Sequence, residues 1–336
     1  MPVNIYDIAK KAGVSVVTVS KVLNNHPGVR EYNRKKVLAA IEELDYKPNA
    51  AARTLARGKT GMIGIIVPCI DDAFMVQVMQ SVEKELASRY MFMVVATSSG
   101  DKDPLKESSC IRLFREGRVD GVLIMSPVND QSCIMELKKR NIPFVLLDQH
   151  QTNLQAPSVT VNNFYGSYQA TMCLIRGGAK SIGHITGSEL FESSHERLRG
   201  YLKALDDSGI KQDERLVVKG NFSFTSGYDA VKNWVMQGCL PDAVFAGDDN
   251  TAFGVIDAAR ELGIAIPERL AVIGYDDHPF TSLFHPGIST VKQPAEKMAK
   301  CGVELLLKII EGKVKRLTKI SLKPTLILRG TTKPPA

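Results

Sequence analysis

Asn4-Ile5-Tyr6-Asp7-Ile8-Ala9-Lys10-Lys11-Ala12-Gly13-Val14-Ser15, continued by Val16-Val17-Thr18-Val19-Ser20-Lys21-Val22-Leu23-Asn24, is the stretch on which the fold of this chain turns. Asn4 has the side chain to cap a first helix, and Asp7 falls one turn inside it, near the positive end. Ile8, Ala9 and Ala12 form an apolar stripe, and Gly13 stops it. Ser15 caps a second helix from Val16 to about Asn24. The break Ala12-Gly13-Val14-Ser15 is short and contains glycine, the connection a helix-turn-helix unit requires. Asn24-Asn25-His26-Pro27-Gly28 reads as a loop, and Val37, Ile41 and Leu44 give a third helix its i, i+4, i+7 stripe. With Val19, Val22 and Leu23 turned inward, Val16, Val17, Ser20 and Lys21 point outward at i, i+1, i+4 and i+5.

Charge separates this head from the rest. The 336 residues carry 43 Lys/Arg against 36 Asp/Glu, a net charge of +7. Residues 1–60 hold eleven of the cations and five of the acids, so all but one unit of the surplus lies there. A basic head on a near-neutral body points to a polyanionic partner for the head alone.

The length suggests two or three compact units, and 44% hydrophobic with 24% charged residues allows a sizeable buried core. No run of eighteen apolar residues occurs, which argues against a membrane span. The start, Met1-Pro2-Val3-Asn4, lacks a basic-then-apolar signal segment, so a cytoplasmic location is expected. The six cysteines (Cys69, Cys110, Cys133, Cys173, Cys239, Cys301) lie far apart without a C-x-x-C pair. They read as reduced and mostly buried, with neither a metal site nor a cofactor implied.

From residue 62 the rhythm changes. Apolar runs of strand length recur at 63–67, 92–95, 122–125, 144–147, 182–185, 243–246 and 271–274. Most are separated by amphipathic stretches of helical length, such as 74–90, 104–117, 130–140, 193–208 and 293–311. This alternation predicts an α/β body of parallel sheets covered on both faces. Some ten units are too many for one ordinary sheet, so two lobes are expected, with a ligand cleft at the carboxyl ends of their strands.

The segment Asp7 to Ser15 with Thr18 to Asn24 resembles the head of the lac-repressor-type (LacI/GalR) regulators. Tyr46-Lys47-Pro48-Asn49-Ala50-Ala51-Ala52-Arg53-Thr54-Leu55 resembles that family's hinge, and the likeness runs on through the body to Pro324, Leu328 and Arg329. The resemblance implies a helix-turn-helix domain over 1–47, a hinge helix over 48–60, and a two-lobed core of periplasmic-binding-protein type I over 61–336. Its first lobe would comprise about 61–161 and 291–323, its second about 162–290 and 324–336.

Function follows as an expectation. The outward face of the second helix holds the positions that the family's recognition helix presents to base edges in the major groove. Lys21 could donate to guanine O6/N7, and Val16 and Val17 could make apolar contacts, for instance with a thymine methyl; Ser20 completes the face. Tyr6, Ser15, Thr18, Asn24 and His26 suit phosphate contacts. The hinge is too short to be a stable isolated helix. The resemblance implies that it folds on DNA beside its copy in a second subunit, with Leu55 wedging into the minor groove. Ala52 would allow the two helices to approach, while Asn49 and Arg53 would meet backbone or groove.

The same resemblance assigns an effector pocket: Phe74, Met75, Ser126 and Gln149 from the first lobe, and Phe191, Ser193, Arg197, Phe222, Asp248 and Asp276 from the second. An aromatic face, an arginine fork and acceptor carboxylates suit a sugar. The whole describes a homodimeric repressor on pseudo-palindromic double-stranded operator DNA, controlled by a sugar or sugar derivative. The chain ends without a leucine-heptad extension, so a tail-mediated tetramer is not expected. A regulator governed by a phosphocarrier protein bound to the body is the alternative. No G-x-S-x-G, phosphate-loop or dinucleotide motif is present, so an enzyme is not expected.

Overall fold

The computed structural model describes residues 3–23, 26–46, 58–98, 116–125, 131–149, 155–314 and 316–334. The chain forms two compact units, Met1–Gly61 and Met62–Ala336.

In the first unit, helices α1 (Ile5–Ala12), α2 (Val16–Leu23) and α3 (Glu31–Glu43) enclose a small core of Ile8, Ala9, Ala12, Val19, Val22, Val37 and Ala40. The N-cap is reciprocal: the Asn4 side chain accepts from the Tyr6 and Asp7 amides, and the Asp7 carboxylate accepts from the Asn4 amide at 2.9 Å. Gly13 closes α1 in the left-handed region at φ 65. Ser15 starts α2, its hydroxyl accepting from the Thr18 amide at 3.2 Å. The expected third stripe is shifted. Val37 and Ala40 are its buried members, while Ile41 and Leu44 are only half-buried against the core.

The second unit contains two six-stranded sheets. Strands β1 (Met62–Val67), β2 (Phe92–Thr97), β3 (Gly121–Ile124), β4 (Phe144–Leu147), β5 (Ser158–Val161) and β11 (Lys319–Leu322) form the first, in the order β11-β5-β4-β3-β1-β2. All its pairings are parallel. Strands β6 (Ile182–Ile185), β7 (Val217–Val218), β8 (Ala243–Ala246), β9 (Ala271–Asp276), β10 (Ser289–Lys292) and β12 (Thr325–Ile327) form the second, in the order β12-β10-β9-β8-β6-β7. Among the described strands only β12 runs antiparallel, against β10. Central strands are buried along their whole length because helices cover both faces.

The chain passes between the sheets three times: after β5, after β10 and after β11. These passages join the two lobes into one unit with a core on each side. The helical stretch expected over 104–117 lies largely outside the described residues. The cysteine expectation needs adjusting. Cys69, Cys173, Cys239 and Cys301 are free thiols, but only Cys173 is buried and the others are half-buried.

Candidate functional site

Strand ends place the functional side chains. Pro68 follows β1, Met125 follows β3, Asp148 follows β4, Asp248 lies just beyond β8 and Asp276 ends β9, and all line one cavity of about 360 Å³. The carboxyl ends of two parallel sheets therefore converge on one cleft. Phe74, Met75, Gln149, Phe191, Ser193, Arg197, Phe222, Asp248 and Asp276 all line it. Ser126, also expected there, lies outside the described residues.

Arg197 is the centre of the arrangement. It projects from helix Glu192–Asp207 and is 4% exposed. Its Nε donates to Asn163 Oδ1 at 2.9 Å, and one terminal nitrogen donates to the Gly247 carbonyl at 2.7 Å. The guanidinium stacks 3.7 Å from the Tyr275 ring centroid, and its other nitrogen lies 3.7 Å from Asp276 Oδ1. The side chain is thus held by geometry on three sides, with one edge left toward Asp276 and the cleft.

Three cleft residues other than glycine occupy positive φ: Asp148 at 53, Phe222 at 66 and Asp276 at 110. Such backbone costs roughly 1–3 kcal/mol each and persists where surrounding structure enforces it, commonly at functional sites. Here it turns two carboxylates and an aromatic ring inward. Phe222 meets Phe191 edge-on, with centroids 5.8 Å apart and planes at 71°. Phe74 and Met75 supply apolar wall, and the Asp72 carboxylate caps their helix (Ala73–Ala87) by accepting from the Met75 amide at 2.9 Å.

Two buried amides stand out. Gln149 is 5% exposed, and neither its carbonyl oxygen nor its nitrogen has a partner among the described residues. Gln293 is 2% exposed; its Nε2 donates to Asp276 Oδ1 at 2.6 Å, but its Oε1 is unpaired among the described residues. An unpaired buried polar group costs about 1–3 kcal/mol, so these amides favour a hydrogen-bonding ligand.

Asp72, Asp148, Asn221, Asn250 and Gln293 also line the cavity and were not identified from sequence. A signal existed for two of them. Asp148 directly follows β4 beside Gln149, and Gln293 directly follows β10, whose Ser-Thr-Val-Lys sequence does not read as an apolar run.

The carboxylates behave unlike surface acids. Asp248 caps helix Asp249–Glu261, accepting from the Thr251 amide at 2.9 Å, yet burial pushes its pKa up to about 6. Burial also holds Asp276 well above the carboxylate range despite Arg197. Asp249 points away from the cleft. Its oxygens accept from the Thr290 hydroxyl and the His278 amide, both at 2.7 Å, and burial pushes its pKa up to about 8. An acid whose folded pKa is raised binds a proton in the folded state that the unfolded state has released, so stability falls as pH rises. For Asp249 the window runs from the ordinary value of about 4 to about 8. Each pH unit there costs up to about 1.4 kcal/mol per group. Denaturant melts of the ligand-free protein should accordingly show the body losing stability from pH 6 to pH 8. Asp249→Asn should flatten that decline, and an equally steep slope in the variant would contradict the assignment.

In the head, Val17 is 63% exposed, Lys21 is exposed and Ser20 is half-buried, all on one face of α2. Val16 departs from the expectation. It is half-buried against the head core, so packing claims part of the side chain assigned to base contact. Tyr6 and Ser15 are exposed, but Ser15 is engaged with Thr18, their hydroxyl oxygens 2.9 Å apart. His26 Nδ1 accepts from the Gly28 amide at 3.1 Å, so only its other ring nitrogen remains for a phosphate. Asn24, Asn49, Ala52, Arg53 and Leu55 lie outside the described residues.

A basic three-helix head with an outward second-helix face, and a two-lobed body closing on a polar cleft, define a ligand-responsive DNA-binding transcription regulator. The chain belongs to the lacI family of bacterial regulatory proteins: residues 4–49 match that family's model, and residues 172–332 match a periplasmic binding protein-like domain. Catabolite control protein A of Priestia megaterium is 33% identical over 99% of this chain and 100% of its own length. The lac repressor dimer bound to operator and the anti-inducer ONPF superposes with a TM-score of 0.86 at 26% identity, covering 98% of this chain and 99% of that one. A complex of the transcriptional regulator CelR with cellobiose gives 0.74 at 29% identity, covering 98% and 99%. Among the described residues, no helix is long and apolar enough to cross a membrane.

Proposed function

We propose that this regulator is a repressor whose affinity for a pseudo-palindromic operator is set by a sugar or sugar derivative bound in the cleft, acting as a homodimer. The observation that carries the sugar reading is the combination of the unsatisfied Gln149 amide and Gln293 Oε1 with Arg197 and the Phe191–Phe222 wall. Buried amides match hydroxyls, and aromatic rings match the C–H faces of a pyranose. The solved CelR complex with cellobiose, a sugar, supports the same chemistry. Lobe closure changes the body, and coupling to the head runs through residues 48–60. The ligand's differential affinity for the two states fixes the size of the response, commonly ~1–3 kcal/mol.

A thermal-shift screen of sugars tests the cleft directly. A ligand at about a hundred times its Kd should add ~2.7 kcal/mol of stability. Absence of any shift across the common mono- and disaccharides would remove the sugar reading.

At the head, Lys21, Val17 and Ser20 are the base-reading candidates. Lys21→Ala should cost about 1–3 kcal/mol of discrimination, roughly 5- to 150-fold, in operator titrations against scrambled duplex. Ligand-induced stabilisation of the body should be unchanged. If binding weakens equally on operator and scrambled DNA, Lys21 contacts phosphate only.

A further inference from the structure

The cleft has far more acid than base. Among the described residues, Asp71, Asp72, Asp148, Glu192, Asp248 and Asp276 line it, and Arg197 is the one lining cation. Glu192 is offset by Arg199 at 3.8 Å on the outside. The Arg197 guanidinium is itself largely committed to Asn163, the Gly247 carbonyl and the Tyr275 ring. His278 does not line the cleft, and burial lowers its pKa.

The acids come from both lobes. Asp72 caps the helix after β1 in the first lobe, and Asp248 caps the helix after β8 in the second. Asp72 is among the charges that raise both Asp248 and Asp276, so the like charges sense each other across the cleft. Closing the lobes desolvates these carboxyls further. Asp276 faces Arg197 and can answer by binding a proton, whereas Asp72 and Asp248 would gain from a cation placed between them. A bound anion would add to their repulsion. Among the described residues no group of three or more His, Cys, Asp or Glu side chains is placed to hold a metal ion on protein ligands alone, which favours an organic cation. An organic cation can also offer hydroxyls to the unpaired Gln149 amide and Gln293 Oε1.

We propose that the effector is an amino sugar with a free ammonium group, held between Asp72 of the first lobe and Asp248 of the second. The inference deepens the sugar reading of the cleft and rests on it. The ammonium bridges the lobes and favours the closed state, while the ring hydroxyls meet Gln149, Gln293 and Arg197. Phosphorylated sugars are excluded by the same field.

The test is calorimetric titration of the full-length protein with three matched sets: glucosamine, galactosamine and mannosamine, the parent hexoses, and their 6-phosphates. One amino sugar should bind at least about tenfold more tightly than its parent hexose, and its 6-phosphate counterpart should not bind. Asp72→Asn keeps a helix-capping side chain. It should erase the amino sugar's advantage over its parent hexose, both measured on the same variant. A parent hexose or 6-phosphate binding as tightly as the amine, or an amine unaffected by Asp72→Asn, would overturn the proposal while leaving the sugar reading intact. If no member of any set binds, the amino-sugar proposal falls, while the sugar reading stands or falls with the wider screen of mono- and disaccharides.

Discussion

Arg197→Ala should abolish ligand-induced stabilisation and lower the melting temperature of the body by roughly 6–12 °C. The side chain is 4% exposed and satisfies three partners at once: Asn163, the Gly247 carbonyl and, at longer range, Asp276. Removing one partner of a buried ion pair commonly costs about 3–5 kcal/mol. The lower end applies here. Asp276 lies 3.7 Å from the guanidinium, and burial already holds its carboxyl well above the usual range, so it can take up a proton instead of remaining a bare charge. At about 2–4 °C per kcal/mol for a body of this size, a loss near 3 kcal/mol gives the stated shift. Lysine should not restore ligand response, because a point charge cannot reach two acceptors while stacking on Tyr275. Differential scanning calorimetry with and without ligand reads both effects. A variant that is still stabilised by sugar would show that Arg197 holds the lobe together without touching the effector.

The second large effect concerns a glycine that does not line the cleft. Alanine is ordinarily preferred over glycine inside a helix by about 1 kcal/mol. Gly254→Ala should reverse that sign and cost about 3 kcal/mol. A Cβ at Gly254 would lie 1.9 Å from the Phe224 carbonyl oxygen and 2.8 Å from the Tyr228 amide nitrogen. The contact is reciprocal, since a Cβ at Gly227 would lie 2.0 Å from the Thr251 carbonyl oxygen. Helices Phe224–Met236 and Asp249–Glu261 therefore cross backbone on backbone, and neither can yield by rotating a side chain. Overpacking commonly costs 1–3 kcal/mol, and the upper end is expected where the obstacle is main chain. Gly302→Ala is the control. Its Cβ would meet Leu147 Cδ2 at 2.7 Å, a side-chain end that can turn aside. Thermal melts showing Gly254→Ala as stable as wild type would mean the crossing is looser than these distances imply.

The same helices explain why part of the fold was illegible in the sequence. Helices Asn163–Arg176, Phe224–Met236 and Asp249–Glu261 bury Gly166, Ser167, Gly227, Thr251 and Gly254, small residues that give no apolar stripe. Strands β5 and β10 are equally hidden. Ser-Val-Thr-Val and Ser-Thr-Val-Lys are mostly buried, but hydroxyl residues dilute the hydrophobic signal. Ser289 and Thr290 tolerate burial because their hydroxyls engage Thr332 and Asp249, 2.8 and 2.7 Å away. Those partners are distant in sequence and cannot be read from the strand itself.

What local chemistry dictated, the sequence determined alone: the Asn4–Asp7 cap, the Gly13 break, the inward Val19 and Val22, and apolar runs that become central strands because each is flanked by helical spacing. The resemblance of its motifs supplied nine of the cleft's side chains, since strand-end positions are fixed by topology. Only the tertiary structure decided that Val16 is shared with the head core, that Gln293 belongs in the cleft, and that acids from two lobes share one cavity with a committed arginine. The reason is range: caps and periodicities act over three or four residues, whereas burial, charge balance and backbone contact depend on segments tens to hundreds of residues apart.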